Sequence, residues 1–140
     1  MLPVTAGPSS QNVRALRKIA AIDIGTNSTH LLVASVDPEL RTFSIELAEK
    51  STTRLGERDP ETGNLSEAAI ERGLEALRRF RELALSHQVE QIVTAATSAV
   101  REAPNGRDFL QEIQDQLDLE VDLVSGPEEA RLIYLGVLSG

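Results

Sequence analysis

The chain has 140 residues, 41% of them apolar and 26% charged, which is typical of one globular domain. Its 14 basic and 22 acidic residues leave a net charge of −8, which disfavours nucleic-acid binding through a broad basic surface. The absence of cysteine excludes disulfides, thiol nucleophiles and cysteine-ligated metal sites. No apolar run is long enough to cross a membrane, and residues 1–11 lack the apolar core of a signal peptide. We therefore expect a cytoplasmic protein with neither a membrane nor a nucleic acid as its partner.

The first 50 residues predict a leader followed by three strands. Proline, glycine and serine are frequent in residues 1–18, which we expect to be a flexible leader to a folded lobe over residues 19–140. Apolar or alternating segments predict strands over residues 19–24, 31–36 and 42–50. Phe43, Ile45 and Leu47 alternate with polar residues, which predicts a half-buried third strand antiparallel to the second.

The rest of the chain alternates helices with strands. Ser66 is placed to cap a helix that ends near His87, and the apolar residues between them recur at helical spacing. Two further strands are predicted over residues 91–95 and 119–124, and helices over residues 97–102, 107–116 and 125–138. The order βββαβαβα predicts an α/β lobe with a mixed five-stranded sheet and helices on its faces.

Three polar clusters follow predicted strands, at the edge where α/β sheets bind ligands. In the first cluster, Asp23 interrupts an apolar strand and is costly to bury without a cation or backbone amides as partners. Gly25, Thr26, Asn27 and Ser28 follow at once, and their amides could surround a phosphate. The segment is neither a Walker loop nor a dinucleotide fingerprint, and an Asx-type hairpin turn is an equally good interpretation of it alone.

The second cluster lies where the fourth strand leads into a helix. Thr97 and Ser98 are small, so a ligand could approach the helix N-terminus, which favours anions. Arg101 lies about one turn further and could reach the same ligand. Taken alone, close helix–sheet packing beside a solvated arginine is the better interpretation.

The third cluster begins the last predicted helix. Ser125 and Glu128 have capping-box spacing, or else Pro127 is the first helical residue and Gly126 is the cap. Glu129 has no such local explanation and would project from the first turn, placed to orient a water molecule. Taken alone, ordinary acids in a first helical turn are the better interpretation.

Together the three clusters resemble the exopolyphosphatase/guanosine pentaphosphate phosphatase family. The resemblance is carried by residues 20–32, 54–57, 65–74, 96–105 and 125–137. It implies a ribonuclease-H-like lobe of the actin-like ATPase superfamily, with the active site in a cleft between two such lobes.

The resemblance also implies an activity and roles for individual residues. The family releases terminal phosphate from polyphosphate, or the 5′ phosphate of guanosine pentaphosphate, with Mg²⁺ or another divalent cation. Asp23 would help to hold the metal, and Glu129 would orient and deprotonate the attacking water. The phosphate would be bound by Gly25, Thr26, Asn27, Ser28, Thr97, Ser98 and Arg101.

One departure from the family pattern leaves alternatives open. The family continues with a second, glycine-rich phosphate loop, and this sequence stops at Gly140, before that element. We therefore expect a first lobe whose partner is a missing C-terminal lobe, and which is inactive alone. The alternatives are a standalone lobe that binds guanosine tetraphosphate or pentaphosphate, polyphosphate or a protein, and a kinase of the same superfamily, against which the Glu129 motif argues. Substrate preference and a homodimer of the full-length protein stay open.

Overall fold

The fold comes from a computed structural model that describes residues 16–124. The three strands of the opening meander are β1 (Arg17–Ile24), β2 (Thr29–Asp37) and β3 (Thr42–Ser51). They are followed by helix α1 (Glu67–Ser86), strand β4 (Gln91–Ala96), helices α2 (Ser98–Glu102) and α3 (Gly106–Leu117), and strand β5 (Val121–Leu123). Both helices predicted between β4 and β5 are present, so the described order is βββαβααβ.

The sheet is mixed, and its strand order is β3-β2-β1-β4-β5. Strand β1 pairs antiparallel with β2 and parallel with β4, which in turn pairs parallel with β5. This confirms the predicted five-stranded mixed sheet, and the structure adds that β1 lies at its centre. The helix predicted over residues 125–138 and the first 15 residues of the predicted leader lie outside the described residues.

Strand β1 begins earlier than the sequence predicts. Arg17 and Lys18 already pair with Val36 and Ser35 of β2, so the sheet includes two residues that were assigned to the leader. A strand can extend past its apolar segment because the backbone ladder, and not the side chain, makes the cross-strand hydrogen bonds.

The main core lies between one face of the sheet and the helices α1 and α3. Ser66 caps α1 as predicted, because its hydroxyl accepts a hydrogen bond from the Ala69 amide at 3.1 Å. The stripe of α1 that includes Phe80 is buried in a cluster that also contains residues of β1 and β2, and Phe109 of α3 belongs to the same cluster. Burying each of these rings stabilises the fold by about 1.5–3 kcal/mol, so this core fixes α1 against the sheet.

The predicted apolar face of β3 is wrong in one respect. Leu47 packs on the main core, but Phe43 and Ile45 are 39% and 57% exposed. Val33 pairs with Leu47 and the next residue of β2, Ala34, pairs with Ile45, so β3 contains a bulge at the intervening position. The bulge breaks the alternation, and Phe43 and Ile45 therefore lie on the opposite face from Leu47. Strand β3 is also the last strand on its side of the described sheet, where side chains have fewer neighbours.

Candidate functional site

The carboxyl ends of β1, β4 and β5 meet at one edge of the sheet. Asp23 and Ile24 of β1 pair with Ala95 and Ala96 of β4, and Ala96 also pairs with Leu123 of β5. Because these strands are parallel, the segments that follow them emerge side by side. The structure thus brings the first two predicted clusters together, as the sequence indicated.

The third cluster lies outside the described residues, and with it Glu129. The last described residue, Val124, lies at the same edge, since its amide donates to the Ala96 carbonyl at 3.0 Å. The position of Glu129 relative to Asp23 therefore stays a prediction.

Residues 25–28 form a tight loop between β1 and β2. The Gly25 amide donates to the Ser28 carbonyl at 3.1 Å, which closes the loop on itself. A Cβ added at Gly25 would lie 2.9 Å from that same Ser28 oxygen. Glycine is therefore required here by close backbone approach.

The 25–28 loop is held from behind by the segment that follows β3. The Arg54 amide donates to the Asn27 carbonyl at 3.0 Å, and the Gly56 amide donates to the Thr26 carbonyl at 2.9 Å. The two carbonyls thus point towards residues 54–56. In a trans peptide the C=O and N–H bonds point in opposite directions, so the Asn27 and Ser28 amides point away from that segment.

These amides are available to a ligand. Within residues 16–124 the Thr26, Asn27 and Ser28 amides have no hydrogen-bond partner, and neither do their side chains. Thr26 and Asn27 are exposed and Ser28 is half-buried. Successive free N–H groups on an exposed loop form the kind of concavity that binds anions.

Asp23 is half-buried just before this loop. Its Oδ1 atom is buried and has no hydrogen-bond partner in the described part of the chain. Burial raises the pKa of Asp23, and the nearby His30 on β2 lowers it in part. A buried carboxylate oxygen without a donor is unfavourable by itself, and a bound cation would supply what it lacks.

The donors near Asp23 fit a magnesium-like ion better than an all-protein metal cage. Among residues 16–124 no group of three or more histidine or carboxylate side chains could hold a metal ion. Mg²⁺ commonly uses one or two carboxylates and fills its other positions with water and substrate phosphate oxygens. Asp23 can be such a ligand, with Oδ1, which lacks a partner in the described part of the chain, as the donor atom.

Thr97 joins the two clusters, but its hydroxyl is not fully free. The Thr97 amide donates to the Ile24 carbonyl at 3.3 Å, and its hydroxyl lies 3.5 Å from the same oxygen. Thr97 is buried and Ser98 is half-buried at the start of α2. Helix α2 has only 5 residues, so the predicted attraction of an anion to its N-terminus is weak.

Arg101 connects α2 to the end of β5. Its Nη1 donates to the Val124 carbonyl at 2.7 Å, and its Nη2 lies 3.9 Å from Glu102 Oε2. The side chain is 42% exposed. A guanidinium has five N–H donors, so Arg101 keeps donors for an anion while it anchors the segment that leads to Glu129.

From the sequence, residues 54–56 could be a further anion contact, but a solvated loop is the better interpretation, and no site role is assigned to Thr53 or Arg72. Thr53 is buried and its hydroxyl is 2.9 Å from that of Thr29, which begins β2. Arg72 donates from α1 to the Thr53 carbonyl at 2.9 Å. The sequence carries no signal for these contacts, because an arginine on a helix surface is usually solvated.

A groove of about 1000 Å³ lies elsewhere, beside the N-terminal half of α1. None of the predicted site residues lines it. Its charged lining consists of one guanidinium, that of Arg58, and five carboxylates, those of Glu57, Asp59, Glu67, Glu71 and Glu112. That much negative charge repels phosphate, so the strand-end site is the better candidate. No helix within residues 16–124 combines the length and the apolar character that a membrane span needs.

Comparison with known proteins identifies the family. The sequence model of the Ppx/GppA phosphatase family matches residues 31–140. A bifunctional 3-dehydroquinate synthase/phosphatase of Fusobacterium nucleatum is 37% identical over 125 residues, which is 86% of this chain and 19% of that protein.

Two solved structures are similar over most of the chain. The Ppx/GppA family member of Aquifex aeolicus has a TM-score of 0.77 and 33% identity, covering 87% of this chain and 39% of that one. An exopolyphosphatase from Cytophaga hutchinsonii has a TM-score of 0.75 and 32% identity, covering 86% and 38%. The chain thus spans less than half the length of these relatives. The matches and the strand order confirm the predicted ribonuclease-H-like lobe of the actin-like ATPase superfamily. Since the family match covers most of its residues, the chain belongs to the Ppx/GppA phosphatase family.

Proposed function

We propose that the chain is the N-terminal lobe of a phosphohydrolase that removes the terminal phosphate of polyphosphate or the 5′ phosphate of guanosine pentaphosphate. One observation carries the proposal. The buried Oδ1 of Asp23, which has no hydrogen-bond partner within residues 16–124, lies beside a loop whose Asn27 and Ser28 amides face away from the segment that holds the loop. The carboxylate oxygen can bind a cation and the neighbouring amides can bind an anion. Together they suit a phosphate group that carries a metal ion. Family membership supports the same chemistry.

The residues of this lobe would bind and orient the phosphate. The free amides of the 25–28 loop would donate to its oxygens, and the remaining donors of Arg101 would approach from α2. Asp23 would hold a divalent cation, which when bound neutralises charge on the phosphate oxygens. Glu129, which lies outside the described residues, would accept the proton of the attacking water, so that the water oxygen attacks phosphorus and the shortened chain leaves.

The acidic balance of the chain does not oppose this proposal. The net charge of −8 disfavours a broad anion-binding surface. A site made of backbone amides, one guanidinium and a cation is local, and surface charges beyond about 8–10 Å are screened at physiological salt. Anion binding therefore depends on the loop and on the ion, and the overall charge has little influence.

Phosphate release tests the proposal. The full open reading frame that encodes this chain would be incubated with long-chain polyphosphate or with guanosine pentaphosphate, in Mg²⁺ or in excess chelator. We expect Mg²⁺-dependent release from at least one substrate. Binding of both without release would favour a non-catalytic binding lobe, and ATP-dependent phosphorylation of an acceptor would favour a kinase. Either result would overturn the proposed hydrolase.

The second lobe and the quaternary structure are separate parts of the proposal. The expected partner is a C-terminal lobe that supplies the rest of the metal and phosphate ligands. We expect the 140-residue chain alone to release phosphate far more slowly than a protein that has both lobes, and a side-by-side assay would measure this. Light scattering of the full-length protein would test for a homodimer, and cell fractionation would test the cytoplasmic location.

A further inference from the structure

Arg72 of α1 contacts the segment that holds the 25–28 loop, although it lies far from the loop in sequence. Its Nε donates to the Thr53 carbonyl at 2.9 Å, and its Nη2 donates to the Arg54 carbonyl at 3.4 Å. The same Nη2 is 3.3 Å from Glu57 Oε1. One half-buried guanidinium thus bonds to three residues of the 53–57 segment.

The guanidinium is held in this orientation by the carboxylate of Glu57, which is itself hydrogen-bonded to the helix cap. Ser66, the cap of α1, donates its hydroxyl to Glu57 Oε1 at 3.0 Å. The hydrogen bonds from Ser66 and Arg72 lower the pKa of Glu57, so this group is ionised at neutral pH. A charged, hydrogen-bonded partner restricts the rotamers of Arg72 and directs its other N–H groups to the carbonyls.

Two peptide groups connect Arg72 to a free amide of the loop. The Thr53 carbonyl, which accepts from Arg72, shares its peptide group with the Arg54 amide, which donates to the Asn27 carbonyl at 3.0 Å. That carbonyl shares its peptide group with the Ser28 amide, which points to the other side. The path therefore runs from a cation, through two aligned peptide dipoles, to an N–H group without a partner in residues 16–124.

Arg72 also holds a backbone conformation that is unfavourable by itself. Arg54 has φ of +50°, a left-handed conformation that residues with a Cβ rarely adopt. The peptide groups on both sides of Arg54 accept hydrogen bonds from Arg72, through the carbonyls of Thr53 and Arg54. Such conformations persist only where the surroundings enforce them, and Arg72 supplies two of the enforcing contacts.

We propose that Arg72 is a positioning residue for anion binding, which orients and polarises the Ser28 amide through the Thr53–Arg54 and Asn27–Ser28 peptide groups. Its charge at one end of a hydrogen-bonded chain strengthens the donor at the other end. The ligand is the phosphate group bound by the 25–28 loop, so the inference rests on the proposed function. Arg72 itself does not touch the phosphate.

Amide hydrogen exchange and a titration test this proposal on the 140-residue chain. The exchange rate of the Arg54 amide measures whether its hydrogen bond to the loop persists. The NMR chemical shift of the Ser28 amide measures binding of inorganic tripolyphosphate. The variants are Arg72→Ala and Arg72→Lys, since a lysine keeps the charge but has a single donor nitrogen in place of the guanidinium fork. The matched control is Arg79→Ala, which removes another arginine of α1 that pairs with Glu49 at 2.6 Å, away from the loop.

We expect Arg72→Ala to raise Arg54 exchange and to weaken tripolyphosphate binding, each by about tenfold, because a charge-assisted hydrogen-bond network is lost. Arg72→Lys should be intermediate, and Arg79→Ala should match the wild type in both readouts. An unchanged exchange rate of the Arg54 amide in Arg72→Ala, or an equal rise in Arg79→Ala, would overturn the proposal. So would an Arg72→Ala variant whose Arg54 amide exchanges faster but whose affinity for tripolyphosphate is unchanged. A wild-type chain that does not bind tripolyphosphate contradicts the proposed function instead, and the exchange rates still decide whether Arg72 holds the loop.

Discussion

Gly25 and Ser28 approach so closely that the amide of the first donates to the carbonyl of the second at 3.1 Å, with no room for a side chain between them. A Cβ at Gly25 would lie 2.9 Å from the Ser28 oxygen. Because the obstacle is backbone, the loop must open if Gly25 is replaced. This closure sets the direction of the amides that follow.

We therefore expect Gly25→Ala to lower the free energy of unfolding by about 1–3 kcal/mol and to weaken phosphate binding strongly. Thermal melts and a tripolyphosphate titration would measure the two effects. Near-wild-type binding by Gly25→Ala would show that the closed loop is not needed for binding.

Gly56 offers a matched control, because its obstacle is a side chain. A Cβ there would lie 2.8 Å from the Thr26 Cγ2 methyl, which can move. Gly56→Ala should thus be milder than Gly25→Ala, and adding Thr26→Ser should restore it by removing the methyl. A double-mutant cycle would measure the coupling. A double variant no more stable than Gly56→Ala alone would contradict the predicted contact.

Asp23 illustrates a conflict between stability and function. Its buried Oδ1 has no hydrogen-bond partner in residues 16–124, so the ionised group disfavours the fold unless a cation is bound. We expect Asp23→Asn to raise the melting temperature in excess chelator, and to abolish the further rise that Mg²⁺ gives the wild type. Melts with and without Mg²⁺ would check both effects. An equal response to Mg²⁺ in the variant would place the ion elsewhere.

The sequence predicted the sheet and the shared edge of the site because both depend on local patterns. An apolar strand with an acid near its end, followed by a glycine turn, identified β1, Asp23 and the 25–28 loop. The exposed positions of Phe43 and Ile45 could not be predicted, because one extra residue in β3 shifts the pairing between two strands. The role of Arg72 depends on carbonyls 18 and 19 residues away, and no periodicity records such contacts.

The extra residue of β3 is Glu46, which the bulge directs towards three polar groups. Ser35 donates its hydroxyl to Oε2, and Oε1 is 3.5 Å from Lys18 Nζ and 3.4 Å from His87 Nδ1. The pKa of Glu46 is lowered from its ordinary 4.5, mainly by the hydrogen bond from Ser35. The hydrogen bond with His87 and the charge of Lys18 lower it further. The folded state therefore favours the ionised form of Glu46.

A lowered pKa fixes the sign of the pH dependence. The stabilisation is present above the ordinary value of 4.5 and is lost as pH falls through the lower pKa of the folded state. We expect Glu46→Gln to lower the melting temperature at pH 7 by no more than about 5 °C, since the group is partly solvated. The two chains should converge in acid. A difference that is constant from pH 7 to strong acid would contradict the ionic contribution.

Glu75→Gln is the control for that experiment. Glu75 lies four residues before Arg79 on α1, but Arg79 pairs with Glu49 of β3 at 2.6 Å. Glu75 is exposed and has no ion pair among the described residues. Its replacement should leave the melting temperature unchanged at every pH, and a loss equal to that of Glu46→Gln would mean that overall charge, and not the bulge contacts, is responsible.

Glu129 remains the predicted general base, and the described structure adds a reason to test it. Arg101 anchors the Val124 carbonyl at 2.7 Å, so the segment that leads to Glu129 begins at the edge that carries Asp23. A base must lie within reach of the attacking water, but it need not bind the phosphate.

In the full-length protein, Glu129→Gln should therefore lower kcat by about 100-fold or more and leave the affinity for polyphosphate within about threefold. Single-turnover phosphate release and equilibrium binding would separate the two effects. The matched control is Glu128→Gln, which removes the neighbouring carboxylate that has capping-box spacing from Ser125, and which should keep most of the turnover. If turnover survives in Glu129→Gln, or is lost equally in Glu128→Gln, another group deprotonates the water.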